Sequence, residues 1–483
     1  MRGVDAIRSR VALKLVTVGA VSRRDVLRAL TGGALIAAAA PALVGIPGCS
    51  SEQSSSVPRS DGSWANWSGG QTSHPKRWLV PANEDELVAA VRAHTGTMRV
   101  VGSGHSFSAL VATDDVMISL DPLRGVAAHD PATLQATVWS GTRLHDLGDQ
   151  LWEIGQSLVN QGDIDEQSLG GAVGTSTHGT GATLGSFSSQ VRGLRLVTAD
   201  GSIIECGPDR DADVFHAACT SFGSLGVITQ VRMQNRAAYS LRERTYTMPV
   251  TDVLRDLDGL IAQNRHFEFW PFFHASSALV KILNETTDAP TPPSRFALPV
   301  DPIFQVACEI AHKIPPLAGS MQRLLMAAAP TTDRVDRSYR IFPSPRTVRF
   351  NEMEYELPAR HGPACIAEIL AVVRQSGIDT LFPLEYRTVA ADDCWLSPFF
   401  ERPSVAISVH QYYKVDYRRL FSLVEPIFWK YEGRPHWGKL HTLGAKELAA
   451  LYPKWDAFQA VRRRLDPRGK FLNDHLRQVL GVA

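Results

Sequence analysis

Two glycine-rich segments constrain this chain more than anything else in it: VGSGHSFS, residues 101–108, and GDIDEQSLGGAVGTSTHGTG, residues 162–181. Side chains this small let successive backbone N–H groups converge on a concave surface, and such a nest receives phosphate oxygens without any cationic side chain. A diphosphate is the natural guest. The first segment alone is weak evidence, because a lone GxG is also an ordinary tight turn. The fingerprint of a nicotinamide-binding Rossmann unit is missing, since no third glycine stands at the required offset and no acidic residue ends a following strand. The second segment is too long and too poor in charge for a simple connector, so its backbone is built to approach something. Two such loops in a mixed α+β region enclose an extended dinucleotide, whose flavin end needs backbone donors near its ring.

The rest of the chain accommodates that reading. Its 483 residues, 44% hydrophobic and 20% charged, have the composition of an ordinary globular protein. With 50 basic and 49 acidic residues the formal net charge is +1, so no global field favours nucleic acid, an anionic membrane or a polyanion, and a small-molecule partner is expected. Ordered structure is expected from about Trp64. NEDELVAAVRAH has an acidic start and Leu87, Val88 and Val91 at helical spacing, and MRVV follows as a strand. From there to about Asn235, short β-rich segments alternate with glycine-rich turns and a few helices, TRLHDLGDQLWEIG and DVFHAACTSF among them. Further on, HFEFWPFF and AISVHQYYKV alternate like strands, whereas PTPPSRFALPVDPIF reads as an irregular proline-rich excursion. The expected division is a cofactor domain over 64–238, a substrate or cap domain over 239–430, and a C-terminal segment over 431–483. In the last, the basic run Arg462 to Arg464 reads as a solvated helix face.

Residues 1–49 read as an export leader. Arg23 and Arg24 precede an apolar, alanine-rich run shorter than a comfortable bilayer span of roughly 20 residues. The pattern is similar to the twin-arginine type, with Val26 and Arg28 where Phe and Lys are commoner. An N-terminal anchor helix is the alternative. Cys49, in GIPGC, stands where a bacterial lipoprotein is cleaved and acylated, and residues 50–63 form a serine-rich tether. The expected location is the periplasm or cell envelope, with membrane contact only through the leader or a lipid. The other cysteines, Cys206, Cys219, Cys308, Cys365 and Cys394, are odd in number, widely spaced and lack a CxxC pair. Neither a disulfide framework nor a metal site is indicated, and they read as buried thiols.

The ordered motifs VGSGHSFS, SLGGAVGTSTHGTG and SFGSLGVITQV resemble the PCMH-type FAD-binding domain of the vanillyl-alcohol-oxidase group. With FEFWPFF, EYRTVAADDCWLSP and HWGK, the resemblance extends to the sugar-1,4-lactone oxidases (gulonolactone and arabinonolactone types) and alditol oxidases, over roughly residues 64–480. It implies an α+β fold in which a two-lobed FAD-binding domain is followed by an α+β cap domain, with the C-terminal segment returning to the flavin. It further implies a covalent bond between His105 and the flavin's C8 methyl, which raises the redox potential and retains the cofactor after export. The plainer reading of His105 is a histidine that only hydrogen-bonds its loop. Amides around Gly102, Ser103, Gly104, His105 and Ser106 are implied to cradle the diphosphate. Ser168, Gly171, Gly174, Thr175 and His178 line the rest of the cofactor, and Ile228 lies near adenine or ribose. His178 has its own bland reading, a structural histidine in a tight turn.

Oxidising a carbinol with a flavin requires hydride to leave carbon while the hydroxyl proton is lost, so the site needs polar groups on the hydroxyl and positive charge near the ring. In LEYR, Glu385 and Arg387 sit at i and i+2 of a strand and share one face. The alternative is a surface ion pair. The resemblance gives Glu385 the substrate hydroxyl, Arg387 the anionic reduced ring, and Lys439 of HWGK the flavin's edge, while His436 is read as packing beside Trp437. It places Asp163, Glu354 and His410 at the substrate. Glu352 and Glu354 alternate with apolar residues in FNEMEYELP, so one face is buried and the glutamates line the pocket or face water. The bulk of Tyr412 departs from the alditol-oxidase pattern and favours a ring-shaped lactone over a polyol. Gly162 stands where the family gates oxygen, its plain alternative being a turn glycine with positive φ. The electron acceptor is thus expected to be O2, or else a quinone-type carrier. The competing non-enzymatic reading is an exported carbohydrate-binding lipoprotein.

Overall fold

The three larger of five β-sheets carry the chain in a computed structural model that describes residues 57–292, 300–344 and 346–482. The leader, Cys49 and much of the tether fall outside those residues. Arg77–Leu79, Val116–Ser119 and Met98–Val101 form a parallel three-stranded sheet, with Val116–Ser119 in the middle. The helix Glu84–Ala93 is the crossover between its outer strands. Asn83 caps it by accepting from the Glu86 N–H, three acids occupy its first turn, and Leu87, Val88 and Val91 are its buried face. That face packs on Met98, Val116 and Ile118, together with Val197, Val227 and Phe471.

The second system is an antiparallel five-stranded sheet in the order Ile203–Cys206, Val191–Val197, Val227–Gln234, Gln135–Trp139, Val126–Asp130. The third is an eight-stranded antiparallel sheet in the order Thr332–Arg337, Ser240–Pro249, Ser277–Thr286, His266–Pro271, Leu384–Val389, Ser404–Tyr412, Phe350–Pro358, Arg434–Pro435. Helices Gly362–Ser376 and Arg418–Lys430 pack on it. On the edge of the second glycine segment, the Gly181 N–H bonds the Thr388 carbonyl at 2.8 Å. With neighbours on both sides of the sheet, every residue of Phe350–Pro358 is buried, where alternation in the sequence led us to expect one buried face.

Two other expectations are corrected. The proline-rich excursion, residues 290–304, runs at its end into a helix over Val300–Lys313, and a second helix over Ala318–Ala327 follows beyond it. Pro302 stands in the first turn of the former, where its missing N–H breaks no helical bond. In the basic run, Arg462 is buried and donates to Gln459 Oε1 and the Asp466 carbonyl, so only Arg463 and Arg464 lie on the exposed face. The five cysteines are free and buried, as their spacing implied.

The C-terminal segment closes back on the first glycine loop. The Phe107 N–H bonds the Gly438 carbonyl at 2.6 Å and Ser108 Oγ bonds the Trp437 carbonyl at 2.7 Å, while Met98 N–H reaches the Lys470 carbonyl at 2.9 Å. Beneath them, the buried Arg99 guanidinium donates to the carbonyls of Leu110, Phe222, Gly223 and Phe471. Burial pulls its pKa down to about 9.

Candidate active site

The two glycine segments face each other across a partly open cleft. Gly102 to Ser106 form one wall, Ser168, Gly171, Gly174 and Thr175 another, and Ile228 a third. A Cβ on Gly102 would stand 2.1 Å from Ser168 Oγ and 3.3 Å from its Cβ, and close approach to backbone requires glycine at 141, where a Cβ would stand 2.0 Å from the Leu120 carbonyl oxygen. Gly104 adopts a φ of +67°, which admits the turn that converges the amides of Gly102 to Ser106. The cradle therefore fits a diphosphate-containing dinucleotide by shape and by donors. The glycine-lined walls offer it backbone amides together with the hydroxyls of Ser103, Ser106, Ser168 and Thr175.

His105 sits at the edge of this cleft, its ring stacked on Trp67 with centroids 5.6 Å apart. Burial, then the Lys439 and Arg143 cations, lower its pKa to about 4, so its imidazole is neutral at physiological pH. His178 behaves differently from the other cofactor residues expected from the sequence. It is absent from the cleft lining, and its ring nitrogens face the Gly179 carbonyl at 2.9 Å and Glu354 Oε1 at 3.1 Å. The backbone contact is that of a turn histidine. Gly162 does not have a positive φ, which removes the turn-glycine explanation; a methyl there would meet Thr177 Cγ2 at 3.2 Å.

Glu385 and Arg387 are buried, not a surface pair, and lie 2.7 Å apart. Trp270 Nε1 donates to Glu385 Oε1 at 2.8 Å, and Arg387 Nε donates to Glu268 at 2.7 Å. Burial pushes the Glu385 carboxyl up and Arg387 opposes it. Burial likewise works against the Arg387 cation, but Glu385, Glu268 and Asp163 more than reverse this and hold it protonated. Asp163 is committed to Arg346, to Lys281 at 3.5 Å and to Arg387 at 3.6 Å. Those cations overcome its burial and hold it below the usual carboxylate range.

A second buried group begins at Lys439, which is bonded to Glu352. Glu352 also faces His410 Nε2 at 3.4 Å, while His410 Nδ1 faces the Pro383 carbonyl at 3.2 Å. Glu354 takes Ser408 Oγ and His178. Both glutamates are buried, so neither faces water. Ligating atoms of Glu352, Glu385 and His410 lie within 4.8 Å of one another, and this joins the two groups into one site. His178, Glu354 and His436 form a similar triad, but His436 Nδ1 accepts from the Gly438 N–H at 3.0 Å, leaving its other nitrogen to carry the hydrogen. Such a ring is a poor metal ligand. Asp163, Glu354 and His410 thus come to the site with their polar atoms engaged by protein partners.

Sequence reasoning missed Glu268, Trp270, Lys281, Arg346 and Arg143. Glu268 had a signal: it is the one charged residue inside the aromatic strand FEFWPFF. Lys281 and Arg346 had none, since only the strand pairing Glu268–Lys281 and a distant loop bring them in.

A dinucleotide cradle beside a buried, charge-paired site defines an FAD-dependent oxidoreductase, and residues 75–207 match the FAD-binding domain family. Residues 231–479 match the D-arabinono-1,4-lactone oxidase family, and the chain belongs to that family. It is 38% identical over 426 residues to L-gulono-1,4-lactone dehydrogenase of Mycobacterium tuberculosis, covering 86% of this chain and 99% of that protein. It is 30% identical over 428 residues to L-gulonolactone oxidase of Bos taurus, covering 86% and 97%. Alditol oxidase of a Streptomyces species is 29% identical over 422 residues, covering 86% and 98%. In fold the chain is similar to cholesterol oxidase of B. sterolicum, with a TM-score of 0.74, 17% identity, and coverage of 87% of this chain and 96% of that one.

Proposed function

We propose that this protein oxidises a secondary or primary hydroxyl of a sugar-1,4-lactone, holding its FAD covalently through His105 and returning electrons to O2. When bound, FAD supplies the hydride acceptor. The observation that carries the reading is the junction of Glu385, Arg387, Glu352, His410 and Lys439 in one buried site beside the dinucleotide cleft. Glu385, desolvated and held by Trp270 and Arg387, orients the substrate hydroxyl. Arg387 and Lys439 hold positive charge where negative charge develops during transfer, in surroundings that screen little of it. Gly102 to Ser106 receive the diphosphate. The neutral His105 imidazole retains the lone pair that a bond to the cofactor requires.

A lactone ring is favoured over an open polyol by the aromatic rings beside the site. From His105 they run to Trp67, then Phe350 at 5.2 Å, then His410 at 5.0 Å, with Phe382 5.5 Å from Phe350. The Tyr412 hydroxyl is tied to Glu309 at 2.6 Å, which fixes that bulky ring. Oxygen is favoured as acceptor by Gly162, which stands where the family gates oxygen and has no positive φ to require a glycine. A quinone-type carrier is the second reading, supported by the 38%-identical relative named a dehydrogenase. Export by a twin-arginine-type route, with a lipid anchor at Cys49, is supported by Arg23, Arg24 and the GIPGC sequence.

The purified protein is expected to be yellow, to keep its flavin through acid precipitation, and to lose that retention in His105→Ala. Substrate-reduced protein mixed with oxygenated buffer is expected to reoxidise promptly with stoichiometric hydrogen peroxide, and Gly162→Ala to slow this. A colourless protein would indicate a carbohydrate-binding lipoprotein instead; reoxidation much slower than turnover with an artificial quinone would make it a dehydrogenase.

A further inference from the structure

Lys281 lies two strands away from Arg387 in the eight-stranded sheet. In register it stands opposite Glu268 on one side of the strand His266–Pro271, and Arg387 stands opposite Glu268 on the other. The three side chains therefore form one transverse row on one face of the sheet. Glu268 bridges them: its Oε2 accepts from Arg387 Nε at 2.7 Å, while its Oε1, which has no hydrogen-bond partner among the described residues, faces Lys281 Nζ at 3.3 Å. The same ammonium faces Asp163 at 3.5 Å and Glu243 at 3.7 Å, and donates to the Phe342 carbonyl at 3.2 Å. All four charged residues are buried. Arg346 lies on the far side of Asp163, and His266, neutral because burial lowers its pKa to about 3, is the remaining titratable neighbour. Burial works against the Lys281 cation, and Glu268, Asp163 and Glu243 more than reverse it.

Without that ammonium, Asp163, Glu243 and Glu268 would share Arg334, Arg346 and Arg387, and Arg387 is the one that both Asp163 and Glu268 reach. We propose that Lys281 is a positioning residue for the oxidation: by neutralising Glu268 and Asp163 it leaves the charge of Arg387 available to the flavin and the substrate. The inference rests on the role given to Arg387 above. The same contacts would also suit a buried strut that merely ties three strands together. The two roles differ in what they do to the flavin's electron affinity. Two strand spacings of roughly 4.8 Å separate Lys281 from Arg387, and across about 10 Å of buried protein one unit charge shifts an equilibrium on the order of tenfold.

The test compares the flavin-loaded parent with Lys281→Met, Glu243→Gln and the double variant in two measurements. One is anaerobic bleaching by a reactive lactone between about pH 6 and about pH 8.5. The other is equilibration of the flavin with a reference dye during slow chemical reduction, which needs no lactone. Lys281→Met is expected to shift the dye equilibrium about tenfold toward oxidised flavin and to slow bleaching about tenfold, with KM within about threefold. That deficit shrinks toward the acid end, where an uncompensated carboxylate takes up a proton and restores the balance. Glu243→Gln is isosteric, and its partner Arg334 is half-exposed, so it shifts the dye the other way, by about threefold, without disturbing the fold. The double variant loses one charge of each sign and returns to within about threefold of the parent. A strut predicts lost stability with a parental dye equilibrium in Lys281→Met; that result, or a double variant as slow as the single one, overturns the inference. Should Lys281→Met fail to fold, Glu243→Gln decides: a shift toward reduced flavin supports the inference, and an unmoved dye equilibrium overturns it. A parent that no lactone bleaches contradicts the proposed function instead, and the dye comparison still judges Lys281.

Discussion

His410 shows what a single side chain contributes when both its ring nitrogens meet acceptors. A carbonyl oxygen stands at Nδ1 and a carboxylate at Nε2, so the hydrogen bonds are complete only when both nitrogens carry hydrogens. Burial disfavours that cation, but Glu352 overrides it and raises the pKa above its ordinary value of 6.5. A cation with a raised pKa stabilises the fold fully below the unfolded value and loses that contribution as pH rises through the folded one. Lys439, Glu385 and Arg387 face the same cluster and stay charged or paired in that window. The melting temperature of the parent is therefore expected to fall faster above about pH 6.5 than that of His410→Gln. Parallel melting curves across that range would remove the imidazolium from the account. The sequence marked His410 as a site residue through its resemblance. It did not reveal that the ring is held by Glu352 and Pro383, because that pairing depends on the register of two strands and a distant loop.

At the scale of elements, the glycine segments were legible from composition alone, since close backbone approach demands the absence of side chains wherever the chain folds. Gly102 carries the sharpest consequence. Gly102→Ala would press a methyl against Ser168 Oγ and widen the gap between the two walls, so the purified variant is expected to hold well under half the flavin of the parent while its far-UV circular dichroism is unchanged. Full flavin content in that variant would show that the walls yield and that the cradle is not shaped by this contact. Strand Phe350–Pro358 was less legible. Its alternation of Glu352, Glu354 and Glu356 with apolar residues signals one wet face, yet all three carboxylates are buried. Lys439, Ser408 and the histidines satisfy the first two, and burial together with the neighbouring Glu354 pushes the Glu356 carboxyl well above its ordinary pKa. Charge at alternate positions marks an exposed face only when no partner waits on the other side, and the partners here come from the C-terminal segment, a neighbouring strand and the second glycine loop. The helix Val300–Lys313 was hidden by Pro302, which sits where a helix tolerates it.

Across the whole molecule, segments far apart in the chain meet at the cofactor loop. Arg99 alone ties the walls at Leu110, Phe222 and Gly223 to Phe471, and Gly438 holds Phe107. The site is therefore a property of the folded chain from Trp64 onward, and its catalytic claim is tested by removing one charge from it. The direct measurement is anaerobic mixing of the purified protein with a panel of sugar-1,4-lactones and alditols, following the flavin's visible absorption in a stopped-flow instrument. Bleaching is expected with at least one lactone, faster than with any alditol, and Arg387→Ala is expected to slow it by roughly two to four orders of magnitude while keeping its flavin. A parent whose flavin is bleached by none of the lactones, or an Arg387→Ala variant that is bleached at the parental rate, would contradict the account.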